Sequence, residues 1–174
     1  VECVSWWAGS FSRPDLVKRP NPKTFNARLK HIVLYTDGSC SGNPGPGGWA
    51  AILIHGATQR ELTGFEKLTT NNRMELTGAI EGLDALKEPC EVTLHTDSAY
   101  MLRAFTDGWL KKWQKNGWLT ASKKPVENQD LWKRLLELEK RHKIVWAKVK
   151  GHADDRLNNR CDELAVAARR TQQS

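Results

Sequence analysis

Val33-Leu34-Tyr35-Thr36-Asp37-Gly38-Ser39-Cys40-Ser41-Gly42-Asn43-Pro44-Gly45-Pro46-Gly47-Gly48-Trp49-Ala50 decides how this chain is read. The apolar run over residues 32–36 has the length of a buried strand, and Asp37 closes it. The Gly/Pro-rich stretch 41–48 reads as a turn, after which residues 49–54 form a second strand. A further turn at His55-Gly56-Ala57 and a third strand over 61–65 complete an antiparallel meander. Beyond it, Leu76, Ala79, Ile80, Leu83 and Leu86 keep helical spacing and predict a helix over 72–87, stopped by Pro89. Val92, Leu94 and Thr96 alternate as a fourth strand. Two short helices follow over 99–105 and 109–115, broken near Gly108. After Pro125 comes a longer helix with Leu131, Leu135 and Leu138 on one face. Residues 144–149 form a fifth strand, and 158–170 a last helix with Cys161, Leu164, Ala165 and Ala168 inward. This order predicts an α/β fold: a mixed five-stranded sheet, an antiparallel three-strand meander plus two parallel strands, flanked by helices.

Four acidic residues stand out against that frame. Asp37 and Asp97, the latter in Thr96-Asp97-Ser98, each follow a Thr at the end of an apolar strand. A crossover connection makes those strands adjacent and parallel, so both carboxylates emerge at the sheet edge where open α/β sheets bind ligands. Glu75, in Asn71-Asn72-Arg73-Met74-Glu75-Leu76, and Asp162, in Arg160-Cys161-Asp162-Glu163-Leu164, sit about one turn inside helices. Each acid alone reads as a cap or a solvated strand end. Four converging carboxylates repel one another unless a hard cation joins them, and oxygen ligands of this kind suit Mg²⁺ or Mn²⁺.

Composition narrows the partner. The 174 residues suffice for one domain with a real core. The chain carries 27 Lys/Arg against 20 Asp/Glu, a net +7, with 12 of the basic and 4 of the acidic residues between positions 109 and 150. The whole positive excess therefore sits in one segment, as a nucleic-acid footprint requires. Trp109, Lys111, Lys112, Trp113, Lys115, Trp118, Lys123 and Lys124 interleave there as a stacking and phosphate-binding surface would. Of the tryptophans, Trp118, Trp132 and Trp146 read as core, Trp113 as partly so, and Trp109 as the substrate contact. Cys3, Cys40, Cys90 and Cys161 have no CxxC spacing and no His at zinc-ligand distance, which fits reduced thiols in a cytoplasmic protein. No run of 18 apolar residues and no signal-peptide core are present, so no membrane association is expected. Residues 1–30, with Pro14, Pro20 and Pro22 and no apolar period, read as a basic extension of unknown role. Residues 31–170 are the core and 171–174 a tail.

The motifs Tyr-Thr-Asp-Gly-Ser-Cys-Ser-Gly-Asn-Pro-Gly-Pro-Gly-Gly-Trp-Ala at 35–50, Thr-Thr-Asn-Asn-Arg-Met-Glu-Leu at 69–76, Thr-Asp-Ser at 96–98, Lys-Gly-His at 150–152 and Arg-Cys-Asp-Glu-Leu-Ala at 160–165 resemble bacterial type 1 ribonuclease H, in order and across nearly the whole core. The resemblance implies a ribonuclease H-like fold and an endonuclease that hydrolyses the RNA strand of RNA–DNA hybrids with two Mg²⁺ ions, Mn²⁺ serving in their place. It implies 5′-phosphate and 3′-hydroxyl ends, and a role in removing RNA primers and R-loops. Asp37, Glu75, Asp97 and Asp162 would hold the ions, Asp37 bridging both, and His152 would assist proton transfer or product release. Glu75 and the backbone of Gly38, Ser39 and Cys40 would meet ribose 2′-hydroxyls, the groups that separate RNA from DNA. Asn43, Asn71 and Asn72 would read the minor groove, Thr70 would seat a DNA phosphate, and Trp109, Lys111, Lys112 and Lys115 would grip the DNA strand. The chain departs from the family pattern at Asp154, Asn159 and Ala99, the last of which removes one groove contact. A monomer with no obligate protein partner is expected. The alternatives are a catalytically silent hybrid-binding module and the nuclease domain of a retroelement protein.

Overall fold

The computed structural model describes residues 29–149 and 155–171. Strands β1 (Lys30–Cys40), β2 (Gly45–His55) and β3 (Thr58–Thr69) form the meander, followed by helix α1 (Asn71–Asp84) and strand β4 (Cys90–Thr96). Three helices, α2 (Ala99–Thr106), α3 (Trp109–Lys115) and α4 (Gln129–Arg141), then lead to β5 (Lys143–Lys148) and the last helix α5 (Arg156–Arg170). The sheet order is β3-β2-β1-β4-β5. β1 pairs with β2 and β2 with β3 antiparallel, whereas β1–β4 and β4–β5 are parallel. The mixed five-stranded α/β sheet expected from the sequence is thus the one observed.

Two cores of unequal size pack on the two faces of this sheet. On one side α1 to α4 bury Leu34, Leu76, Leu83, Leu94, Met101, Trp132, Leu135 and Leu138 against the sheet. On the other, α5 covers Tyr35, Ala50 and Ile52 with Cys161 and Ala165, beside the buried Val149. Burial of apolar surface at about 25 cal/mol per Å² makes the first core the larger source of stability. The second holds one helix in place.

The elements differ from expectation where close packing overrides local composition. The stretch expected as a turn over 41–48 is half strand: Cys40 pairs with Gly47, Ser39 with Gly48 and Gly38 with Trp49. Asp37 therefore lies inside β1 and pairs with Ala50, with strand continuing past it. Glycine at 48 is demanded by α5, because a Cβ there would lie 2.3 Å from the Ala165 carbonyl oxygen and 2.6 Å from the Arg169 nitrogen. The ladder likewise extends β3 well beyond residues 61–65, with a bulge opposite Gly45 and Gly47. Helix α1 ends at Asp84, short of residue 87, as Leu86 N–H turns back to the Leu83 carbonyl. Helix α5 starts at Arg156, ahead of residue 158, because the Asp155 carboxylate caps it by accepting from Leu157 and Asn158 N–H.

The tryptophans divide differently too. Trp132 is fully buried and replaces Leu131 on the inner face of α4. Trp118 and Trp146, expected in the core, are only half-buried at its margin. Trp118 lies in a left-handed turn with φ 64° and takes the Lys133 ammonium over its ring at 5.2 Å, while Trp146 stacks on Phe105 at 4.1 Å.

Gly48→Ala should destabilise the protein by about 1–3 kcal/mol, the usual cost of forcing extra volume into a close-packed contact. Thermal unfolding measures it, and a wild-type midpoint would show that α5 can step back from β2 without loss.

Candidate active site

The parallel register of β1 and β4 builds the centre of the site. Tyr35 pairs with His95, so Asp37 and Asp97 stand at matching positions two residues further on, Asp37 inside β1 and Asp97 just past the end of β4. Glu75 arrives because α1 is pressed onto β1 at Gly38. A Cβ on Gly38 would lie 2.3 Å from the Glu75 nitrogen and 2.5 Å from the Met74 carbonyl carbon, so only glycine admits this contact. Asp162 follows Cys161, whose buried thiol donates to the carbonyls of Tyr35 at 3.6 Å and Ala50 at 3.5 Å. Arg169, two turns further on, donates to Ser39 Oγ at 3.0 Å and fixes the same helix to the end of β1.

Electrostatics show that the four acids share one field. Asp37 is 8 % exposed, and its Oδ1 accepts from the Gly38 N–H at 2.7 Å. Burial first, then the charge of Asp97, push its pKa up to about 7; Asp162 and Glu75 add to the rise, and the Gly38 N–H opposes it. Glu75 is also raised, mainly by burial and further by Asp97, against the pull of hydrogen bonds from Ser98 and Asn71. Its Oε2 accepts from Ser98 Oγ, and its Oε1 from Asn71 Nδ2 at 2.8 Å. Asp97 and Asp162 are exposed. Among the described residues, no three His, Cys, Asp or Glu side chains stand close enough together to hold an ion as they are. The donor set is all oxygen, and negative field from three neighbours converges on one buried carboxyl, which fits a hard divalent cation.

The residues expected to meet substrate fall into two groups, one at the end of β1 and the start of α1, the other on α3. Gly38, Ser39 and Cys40 are half-buried at the end of β1. Asn43, in the exposed loop before β2, accepts at Oδ1 from the Asn71 N–H at 3.3 Å, which joins the two groove-reading motifs. Thr70 is the N-cap of α1, its hydroxyl accepting from Arg73 N–H at 3.4 Å, and Asn72 is half-exposed in the first turn. Trp109 is half-buried and tilted on Trp113 at 6.0 Å. It lines a surface groove with Lys112, Lys115 and Leu119, beside the exposed Lys111. Lys112 and Lys115 also lie in the last turn of α3, where cations favour the helix dipole. His152 and Asp154 fall outside the described residues, as do residues 1–28.

Sequence reasoning assigned no role to two residues that hold the site. Ser98 is buried and bonded to Glu75. Arg73 makes a two-pronged pair with Asp130 at 3.0 and 2.9 Å and reaches Asn128 Oδ1 at 3.3 Å, tying α1 to the start of α4. Their place beside Asp97 and within the Glu75 motif was the available signal.

Comparison with known proteins agrees with this geometry. The RNase H family model matches residues 29–170. The ribonuclease H of Thermoanaerobacter sp. strain X514 is 63% identical over 135 residues, covering 78% of this chain and 87% of the relative. That of Moorella thermoacetica is 61% identical over 140 residues, covering 80% of this chain and 92% of the relative. Among solved structures, LC9-RNase H1, a type 1 RNase H with the type 2 active-site motif, aligns with a TM-score of 0.74 and 31% identity over 83% of this chain and 74% of that one. LC11-RNase H1, solved in complex with an RNA/DNA hybrid, shares the fold at a TM-score of 0.63 and 23% identity, over 82% of this chain and 99% of that one. Sequence motifs, sheet order and the field around Asp37 lead to one placement: the chain belongs to the ribonuclease H family, with the bacterial type 1 enzymes.

Proposed function

We propose that this ribonuclease H cuts the RNA strand of RNA–DNA hybrids internally, leaving 5′-phosphate and 3′-hydroxyl ends, with Asp37, Glu75, Asp97 and Asp162 holding two divalent ions, Mg²⁺ or Mn²⁺. The observation that carries this reading is the Asp37 carboxyl, buried and raised to about 7 by burial and by its acidic neighbours. When bound, the ions would supply Lewis acidity, making water a competent nucleophile at neutral pH and offsetting charge on the phosphodiester and its departing oxygen. Asp37, the most buried of the four, would contribute ligand oxygen together with Asp162, Glu75 and Asp97. Glu75 and the backbone of Gly38, Ser39 and Cys40 would face a ribose 2′-hydroxyl, a group recognised here and not used as nucleophile. Asn43, Asn71 and Asn72 would read the minor groove, Thr70 would hold a DNA phosphate, and His152 would move a proton or speed product release. Trp109, Lys111, Lys112 and Lys115 would grip the DNA strand. A silent binding module is the weaker reading, since a pure binder gains nothing from acids that repel phosphate. Among the described residues no helix is long and apolar enough to cross a membrane. We place the enzyme in the cytoplasm as a monomer, acting on primers and R-loops.

A labelled hybrid should be cut in its RNA strand with Mg²⁺ or Mn²⁺, while matched RNA, DNA and RNA–RNA duplexes survive and chelator stops the reaction. Products ending in 2′,3′-cyclic phosphate would refute the water-attack mechanism.

Asp37→Asn should lose turnover and keep hybrid binding. It should also stabilise the metal-free protein. The Asp37 pKa is 3.8 unperturbed and about 7 in the fold, so the unfolded chain ionises first and stability is lost as pH rises from about 4 to 7. Asn carries no such cost, so at pH 8 the variant should gain up to about 4 kcal/mol, and the gain should vanish below about pH 4. Denaturant unfolding in chelator at both pH values reads this directly, and equal stability at pH 8 would refute it.

Replacing Lys111, Lys112 and Lys115 together with Ala should reduce the slope of log K for the hybrid against log salt by roughly one to three units. Single-turnover cleavage at saturating enzyme should hold. An unchanged slope would mean these lysines serve the solvent and the α3 dipole only.

A further inference from the structure

We infer that Ser98 is a positioning residue for the cation site: its hydroxyl holds the Glu75 carboxylate in the orientation from which it binds a divalent ion. This rests on the reading of Glu75 as an ion ligand. Ser98 is 3 % exposed, and its Oγ does two things at once. It accepts from the Met101 N–H at 3.2 Å as the N-cap of α2, and it donates to Glu75 Oε2. A hydroxyl has one proton and two lone pairs, so the cap leaves its only proton for Glu75. The Ser98 backbone is fixed in turn, its N–H donating to Thr96 Oγ1 at 3.1 Å.

The geometry matters because of what lies on each side. Among the described residues, the Glu75 carboxylate has one other hydrogen-bond partner, Asn71, four residues earlier in the same helix. That bond aligns the carboxylate within α1 and cannot relate it to any other element. Ser98 belongs to the β4–α2 junction and directly follows Asp97. Among the described residues, its hydroxyl is the hydrogen-bond donor that joins the Glu75 carboxylate to the segment carrying the neighbouring acid, across 23 positions of sequence. Two like charges on separate elements drift apart, and a donor shared with the adjoining backbone holds one against the other. Each Glu75 oxygen keeps a lone pair after these bonds, so the clamp orients the ligand without consuming it. Partners of this kind orient metal ligands elsewhere, and their loss costs about 10- to 100-fold in affinity or activity.

The two duties of the hydroxyl can be separated. Ser98→Ala loses both the cap and the proton donor. Ser98→Gly loses the donor but remains an acceptable N-cap. Ser98→Thr keeps both. With Mn²⁺ titrated calorimetrically into the hybrid-free protein, Ser98→Ala and Ser98→Gly should bind about 10- to 100-fold more weakly, and Ser98→Thr close to wild type. The thermal midpoint should fall for Ser98→Ala and stay near wild type for Ser98→Gly. In turnover, kcat should drop in the two donor-less variants while KM for the hybrid holds, with recovery as Mg²⁺ is raised. Wild-type Mn²⁺ affinity in Ser98→Gly, or a loss in Ser98→Thr equal to that in Ser98→Ala, would overturn the inference. Glu75→Gln is the parallel arm: unchanged Mn²⁺ affinity there would remove Glu75 as a ligand and this inference with it.

Discussion

The mutual repulsion of carboxylates around Asp37 is the constraint on which the rest of this structure depends. A group that is nearly sealed from water, next to three like charges, is unfavourable in its ionised form. The fold accepts that cost because four acids come from four elements that packing has already fixed: two strands in parallel register, one helix against a glycine, and one helix held by a thiol and an arginine. The larger core under α1 to α4 supplies most of the stability, and the smaller core under α5 adds to it while fixing the position of that helix. A divalent cation held by these acids, as proposed above, would offset that cost.

Most of this was legible in the sequence because its signals are local. The apolar runs before Asp37 and Asp97 gave strands of the right order and direction, and the 3.6-residue spacing after Asn72 gave α1. What escaped prediction depends on contacts between distant segments. Residues 45–48 look like a turn by composition, yet they extend the ladder of β1 and β2, and the carbonyl that excludes a side chain at Gly48 comes from Ala165. No window around residue 48 contains that information.

The same holds at the site. The four acids were marked by their motifs, but the donors that arrange them were not. Ser98 looked like the tail of the Thr-Asp-Ser motif, and only the fold shows its hydroxyl reaching Glu75. The tryptophans mislead for a related reason: hydrophobic size suggested burial for Trp118 and Trp146, whereas a left-handed turn and a Phe105 stack leave them at the margin. Their exposure is set by backbone conformation and by neighbours, neither of which composition reports.

The anchoring of α5 has a consequence for the order in which the protein becomes functional. Its contacts to β1 and β2 span 111 to 130 residues, among the longest separations in the chain. During synthesis, Asp37, Glu75 and Asp97 leave the ribosome early, and Asp162 follows only when the final helix is made. The larger core under α1 to α4 contains no residue of α5, whereas the smaller core closes only when α5 packs on β1 and β2. A chain whose α5 has not yet docked would hold Asp37, Glu75 and Asp97 in place without Asp162. On the reading that all four acids hold the ions, the docking of α5 is the step that would complete the nuclease.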